Sequence, residues 1–239
     1  MGNLNKLQPI KAAQEFINKY FPSCDGALLA GSVVRGQATE TSDLDIVIFD
    51  NELDSAYRES LIEFDWNIEL FVHNLNSYQD FFTSDYKRAR PSLPRMVSEG
   101  LVLKDNGVMN TIKTEAQELL SKGPEIWSSE TINIKRYFIT DALDDFIGCE
   151  NRKEGIFIAN TLTELVSEFV LRTNNSWIGA SKWVLRSLKQ YDDAFAERFV
   201  EAFDLYYREN SKSKVINLVD EILKPYGGRL FNGFSLGKR

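Results

Sequence analysis

Two aspartates, Asp43 and Asp45, stand one residue apart at the head of the apolar run Ile46–Phe49. "TSD" alone reads as an ordinary turn, because turns favour Ser and Asp. Asp45, however, leads directly into four apolar residues, and a strand so apolar is buried on both faces. Residues i and i+2 of a strand point to the same side. Two like charges held that close repel, and a half-buried carboxylate is costly unless it is paired. A divalent cation removes both costs. Hard oxygen ligands suit Mg²⁺, which keeps waters and takes substrate phosphates into its shell. Upstream lies Gly31-Ser32, a pair that lets backbone and a small hydroxyl approach a ligand closely. A Gly-Ser turn entering a helix presents free N–H groups to phosphate, and Arg35 sits one turn beyond Ser32, within reach of the same anion. The spacing assigns a polyphosphate to residues 31–35 and metal to Asp43 and Asp45.

These groups need a scaffold. "GALLA" before Gly31 reads as a short buried strand and "DLDIVIF" as the next one. "YRESLIEF" and "WNIELFV" predict two further strands joined by a tight turn at Asp65. Ahead of them, Pro9–Phe21 carries helical apolar spacing at Ile10, Ala13, Phe16, Ile17 and Tyr20, with Pro near its start. A loop with Pro91 and Pro94 is expected next, then a helix near Thr111–Ser121. The basic residues Lys87, Arg88, Arg90 and Arg95 fall in that loop and read as solvated charge or as a phosphate clamp. "KGPE" at 122–125 breaks structure. From Thr131 to Lys224 the apolar spacing is helical almost throughout, with Ile139, Leu143 and Phe146, then Leu162, Leu165 and Phe169, as buried rows. The fold class expected is α+β: a short mixed sheet flanked by helices over residues 1–122, and an all-α bundle over 123–239. Trp127, Trp177 and Trp183 are read as core, and His73 as a strand-end polar residue.

Composition narrows the partners. The chain has 239 residues, 43% hydrophobic and 26% charged, with 28 Lys+Arg against 35 Asp+Glu and a formal net charge of -7. No basic tract is present, which weighs against nucleic acid as a partner. Two distant cysteines and one histidine cannot build a zinc cluster. No apolar run approaches the length of a membrane span, and the first 25 residues lack the pattern of a secretory signal. A cytoplasmic protein with free thiols is expected.

The joint pattern resembles the DNA polymerase β-like nucleotidyltransferase superfamily, whose signature is Gly-Ser, about ten residues, then Asp-x-Asp. Gly31-Ser32, Val33–Ser42 and Asp43-Leu44-Asp45 match it. The resemblance implies a third carboxylate on a neighbouring strand, best matched by Glu69 in "NIELFV", with Asp65 a weaker candidate. It implies a nucleoside triphosphate substrate bound through Gly31, Ser32, Arg35 and Ser42, and two Mg²⁺ held by Asp43, Asp45 and Glu69. The reaction would be in-line displacement of pyrophosphate at the α-phosphorus by an acceptor hydroxyl.

The helical half should choose the acceptor. "GASKWVLRSL" (Gly179–Leu188) is similar to a stretch of kanamycin nucleotidyltransferase and related antibiotic-modifying enzymes, which makes Lys182 the counterpart of a lysine that reaches the active site. The same stretch reads equally as a solvated helix face. Those relatives place a catalytic Glu four residues earlier, where this chain has Ile178. Asp141, Asp144 and Asp145 on one side of a helix, and Glu164 on the next, are the remaining acidic candidates on the acceptor side; a solvated acidic face explains most of them. The expected activity is transfer of a nucleoside monophosphate, AMP from ATP as the family prior, to a small-molecule hydroxyl such as an aminoglycoside's. Alternatives are a protein-nucleotidylating regulator and a non-catalytic nucleotide-binding relative. A homodimer fits the relatives, although no self-complementary patch is evident.

Overall fold

The structure, a computed structural model, describes residues 6–238. Its contacts divide the chain into two units, one ending at Gly123 and one running from Pro124. The first unit is built on a five-stranded mixed sheet, the second is helical, and the class is α+β.

The first unit opens with α1 (Pro9–Tyr20) and β1 (Gly26–Ala30), followed by the single turn α2 (Gly31–Val34) and β2 (Leu44–Phe49). Then come β3 (Tyr57–Glu63), β4 (Trp66–His73), α3 (Ser77–Lys87), α4 (Ser92–Glu99), β5 (Leu101–Asp105) and α5 (Met109–Lys122). The strand order is β3-β4-β2-β1-β5; β2 and β4 run parallel and the other neighbours antiparallel. A central strand covered on both sides must be apolar on both, and Ile46–Phe49 are fully buried.

Strand alternation sorts the sheet's two faces. Leu29, Leu44, Ile46, Ile48, Ile68, Leu70 and Val72 face α1, whose Ala12, Ala13, Phe16 and Ile17 seal that side. Leu28, Ala30, Val47 and Phe49 face the other way, onto Tyr78, Phe82, Leu93, Val97, Ile112 and Ala116 of α3, α4 and α5. Burying each such large side chain is worth about 1.5–3 kcal/mol. By parity Asp45, Glu69 and His73 belong to this second face.

The β3–β4 hairpin closes on Phe64-Asp65, with φ of 54° and 60°. Positive φ at both central residues is the turn that matches strand twist. It pairs Glu63 with Trp66 and so places Ser60 opposite Glu69 and Arg58 opposite Phe71.

The stretch expected as a loop with two prolines holds two helices, α3 and α4. Pro94 is the third residue of α4, where a missing N–H breaks no intrahelical bond. The buried Asp85 carboxylate stands in for a local cap, accepting from Leu93 N at 2.8 Å and pairing with Arg88. The basic loop is therefore a helix–helix junction with one of its arginines engaged internally.

The second unit contains α6 (Ser129–Gly148), α7 (Arg152–Thr173), α8 (Lys182–Tyr191), α9 (Asp193–Glu209) and α10 (Ser213–Leu223). Ser128, Asn151 and Asp192 cap α6, α7 and α9 by accepting from Thr131 N, Lys153 N and Phe195 N. Its interior is lined by Leu143, Phe146, Leu162, Val166, Phe169, Phe199, Tyr206 and Val219. Leu165 is half-buried rather than core, as are Trp127, Trp177 and Trp183. Trp127 packs on Phe169 and takes the Lys135 ammonium and Arg172 guanidinium on its ring.

Candidate functional site: an acidic row across the sheet

Register builds the site. Asp45 pairs with Ala30 on one side and with Glu69 on the other, and Glu69 pairs with Ser60. Four strands thus contribute one row across the sheet, Ala30, Asp45, Glu69, Ser60. Asp43 precedes β2 by one residue. Single carboxylate oxygens of Asp43, Asp45 and Glu69 lie within 4.8 Å of one another. Among the described residues no other set of three metal-ligating side chains converges in this way.

The electrostatics are those of a partly compensated cluster. Burial, then the neighbouring Asp43 and Glu69 carboxylates, push the Asp45 carboxyl up to about 6; Arg35 and Arg58 act in the opposite direction. Neither Asp43 nor Asp45 has an ion pair among the described residues, whereas Glu69 accepts from Arg58 Nη2 at 2.7 Å. The donor set is all oxygen, three hard ligands in a half-buried position, which fits a divalent hard cation such as Mg²⁺.

Glycine is required beside Asp45. Gly31 has φ of 77°, and a Cβ there would lie 1.8 Å from Asp45 Oδ2. The absent side chain is what lets the carboxylate sit against the turn. Ser32 Oγ donates to Ser42 Oγ at 3.1 Å, and Ser42 Oγ accepts from Thr39 N at 2.8 Å. These bonds tie the Gly-Ser turn to the segment that delivers Asp43. Gln37 N to Ser32 O, at 2.9 Å, closes the same loop. Arg35 ends α2 and bonds Glu99 Oε2 at 3.2 Å. Gly31, Ser32, Arg35, Ser42, Asp43 and Asp45 are therefore gathered where β1 ends and β2 begins, with Glu69 beside them from the middle of β4. Asp65 is not among them; it occupies the hairpin turn.

The predicted acceptor-side residues all belong to the second unit. Asp141, Asp144 and Asp145 are exposed on α6, and Glu164 is exposed on α7. Asp144 is engaged by Arg229 at 3.4 Å. Ile178, at the position where the resemblance implies a catalytic Glu, is an 8% exposed core residue, so no ionisable group stands in that place. Lys182 is exposed as the first residue of α8. Ser181 before it has φ 52° and ψ -129°, a strained conformation for a residue with a side chain. Gly179 is forced by packing, since a Cβ there would lie 2.2 Å from Trp183 backbone.

The sequence reading passed over Arg58 beside the row, and over the burial of His73 four residues farther along β4. Arg58 was legible in principle: a two-residue turn at 64–65 sets the hairpin register, and counting back puts Arg58 diagonal to Glu69 on one face. His73 ends β4, as read, and is buried there at 3% exposure; burial pushes its imidazole down to about 4, and Nδ1 has no hydrogen-bond partner among the described residues. Nothing in the sequence signals that, because it depends on Phe81 closing over the ring at 4.8 Å.

Residues 10–96 match the family model of the nucleotidyltransferase domain. That span carries Gly31-Ser32, Asp43, Asp45 and Glu69. A solved nucleotidyltransferase-like protein from Exiguobacterium sibiricum superposes with a TM-score of 0.49 at 9% identity, over 91% of this chain and 75% of its own. No curated protein matches. Among the described residues no helix is long and apolar enough to cross a membrane.

Proposed function

We propose that the protein is a Mg²⁺-dependent nucleotidyltransferase that moves a nucleoside monophosphate from a nucleoside triphosphate to a small-molecule hydroxyl. The observation that carries this reading is the convergence of Asp43, Asp45 and Glu69 on one point beside the glycine turn, within the span that matches the nucleotidyltransferase domain. Three mutually repelling carboxylates in a half-buried row are a cost to the fold, which a bound cation offsets.

In this reading Asp43, Asp45 and Glu69 hold the divalent ions. When bound, those ions supply charge neutralisation at the phosphates and a lowered pKa for the attacking hydroxyl. The protein's part is placement. Gly31 and Ser32 offer backbone N–H groups and a hydroxyl to the phosphates, and Ser42 holds the turn in register. The acceptor oxygen would form its bond to the α-phosphorus as the bond from that phosphorus to the bridging β-phosphate oxygen breaks; the hydroxyl proton would pass to solvent, and pyrophosphate would depart. AMP is the proposed group and an aminoglycoside-like polyhydroxyl amine the proposed acceptor class. Lys182 and the acidic face of α6 are the residues proposed to meet it.

The decisive experiment is a pyrophosphate-release screen with purified protein, Mg²⁺, each of four nucleoside triphosphates, and a panel of aminoglycoside, lincosamide, sugar and nucleoside acceptors. Release that requires one acceptor class and is abolished by Asp45→Asn is the expected result. Turnover that survives Asp45→Asn removes the mechanism.

A further inference from the structure

Glu69 is the one member of the acidic row that already has a cation. Arg58 lies on edge strand β3, opposite Phe71 and two residues along from Ser60, which faces Glu69. Its guanidinium stacks on the Phe71 ring at 4.9 Å and donates to Glu69 Oε2 at 2.7 Å. The side chain is 61% exposed while that of Glu69 is 28% exposed, so the arginine can leave toward solvent more easily than the carboxylate can. Arg35, the other basic group acting on Asp45, is bonded to Glu99 outside the row.

Resting on the reading of this row as a metal site, we infer that Arg58 is a positioning residue that serves as the resident counter-ion of Glu69 and gives way when a divalent cation loads. The ion pair and the metal compete for the same carboxylate, and a fixed positive charge beside the row also opposes a bare dication. A dication that arrives with a nucleoside triphosphate brings the phosphates' negative charge, which cancels much of that opposition. Arg58 thereby biases the site toward loading as the metal–nucleotide complex and against occupancy by metal alone. The aromatic platform keeps the displaced guanidinium near, ready to pair again once products leave.

The test is Mn²⁺ affinity by calorimetry on the full chain, with and without a non-hydrolysable nucleoside triphosphate, for wild type, Arg58→Ala, Arg58→Gln, Glu69→Gln and the double variant Arg58→Ala/Glu69→Gln. An exposed ion pair plus the added repulsion predicts that Arg58→Ala tightens bare Mn²⁺ binding about twofold to tenfold. The gain should shrink at high salt and be smaller for the Mn²⁺–nucleotide complex. Arg58→Gln, which keeps a side chain on Phe71, should follow Arg58→Ala, and the gain should fall when Glu69→Gln is also present. Unchanged or weakened Mn²⁺ binding in both Arg58 variants, with wild type still binding, overturns the inference and leaves the metal site intact. Absence of Mn²⁺ binding in wild type overturns the metal-site reading and the inference with it.

Discussion

Asp45→Asn should stabilise the metal-free protein at neutral pH and, under the proposed function, abolish turnover; the size of the stability gain should depend on pH in a way the structure fixes. Burial, together with Asp43 and Glu69, lifts the Asp45 carboxyl from its ordinary 3.8 to about 6. The folded chain therefore holds a proton that the unfolded chain has released between about pH 4 and pH 6, and stability attributable to Asp45 falls as pH rises through that window. Each pH unit of difference is worth about 1.4 kcal/mol, so the ceiling is about 3 kcal/mol; partial exposure of the row reduces this to about 1–2 kcal/mol. Asparagine keeps the shape and discards the charge. In EDTA at pH 8 the variant should be more stable by that amount, and the advantage should vanish near pH 4.

His73 works in the opposite direction over nearly the same range. Burial lowers its imidazole from 6.5 to about 4, so the unfolded chain takes up a proton that the folded chain refuses, and stability is lost as pH falls through that window. The two slopes partly offset one another in the wild type, which predicts a shallower stability profile between pH 4 and pH 6.5 than either group alone would give. Asp45→Asn removes one of them, so the variant itself should lose about 2–3 kcal/mol on acidification. Urea titrations in EDTA across pH 4–8 measure this. Equal stability of the two proteins at pH 8, or an advantage undiminished at pH 4, would refute the electrostatic account of the row. Under the proposed metal-site reading, saturating Mg²⁺ should reverse the ranking at pH 8, since the wild type would gain more from binding than the variant.

Three further outcomes follow from local geometry. Gly31→Ala forces a Cβ into the Asp45 carboxylate and should weaken Mn²⁺ binding at least tenfold, whereas Gly36→Ala, also at positive φ but in open space, should cost about 1 kcal/mol and leave Mn²⁺ binding unchanged in calorimetry. Asp85→Ala strips the buried acceptor from Leu93 N and should cost about 2–3 kcal/mol in urea unfolding without altering metal affinity. Asp65→Gly relieves a positive-φ residue in the hairpin turn and should raise stability by about 0.5 kcal/mol, with a fall in stability counting against that turn assignment.

The acidic row was legible because its signals are short-range. An apolar run behind Asp45 marks a strand buried on both faces, period two puts Asp43 and Asp45 on one side, and Gly31 announces a close approach. The row's completion was not legible from spacing alone. Glu69 becomes a neighbour of Asp45 only because β2 and β4 pair in parallel, a choice made by the whole sheet. The helices α3 and α4 were missed for a related reason. Two prolines in "RPSLPR" argue for a loop, and the compensating cap comes from Asp85, several residues upstream and buried. Tertiary packing overruled the local punctuation there. His73 shows the same limit from the other side, since its burial is made by a helix residue, Phe81.

The two halves of the chain differ in how much chemistry a sequence can display. Neutralising a triphosphate and a displaced pyrophosphate requires hard oxygen ligands at fixed separations, and only a few residue types at a few spacings meet that demand. Recognising an acceptor places no such restriction: any arrangement of polar groups that matches the molecule will serve. Asp141, Asp144, Asp145 and Glu164 are chemically plausible and individually unremarkable, each exposed on a helix as acidic residues commonly are. Ile178, at the position where the resemblance to antibiotic-modifying enzymes would put a glutamate, bears on the same question. A buried isoleucine cannot take the proton of an acceptor hydroxyl. Under the proposed transfer, the acceptor proton would leave either through a metal-lowered pKa of the hydroxyl itself or to one of the acidic residues proposed for the acceptor. Substituting Asp141, Asp144, Asp145 and Glu164 one at a time by Asn or Gln separates these routes. Loss of turnover confined to one variant, with its nucleotide affinity intact, identifies a base, and uniform retention assigns the proton's departure to the row at Asp43, Asp45 and Glu69.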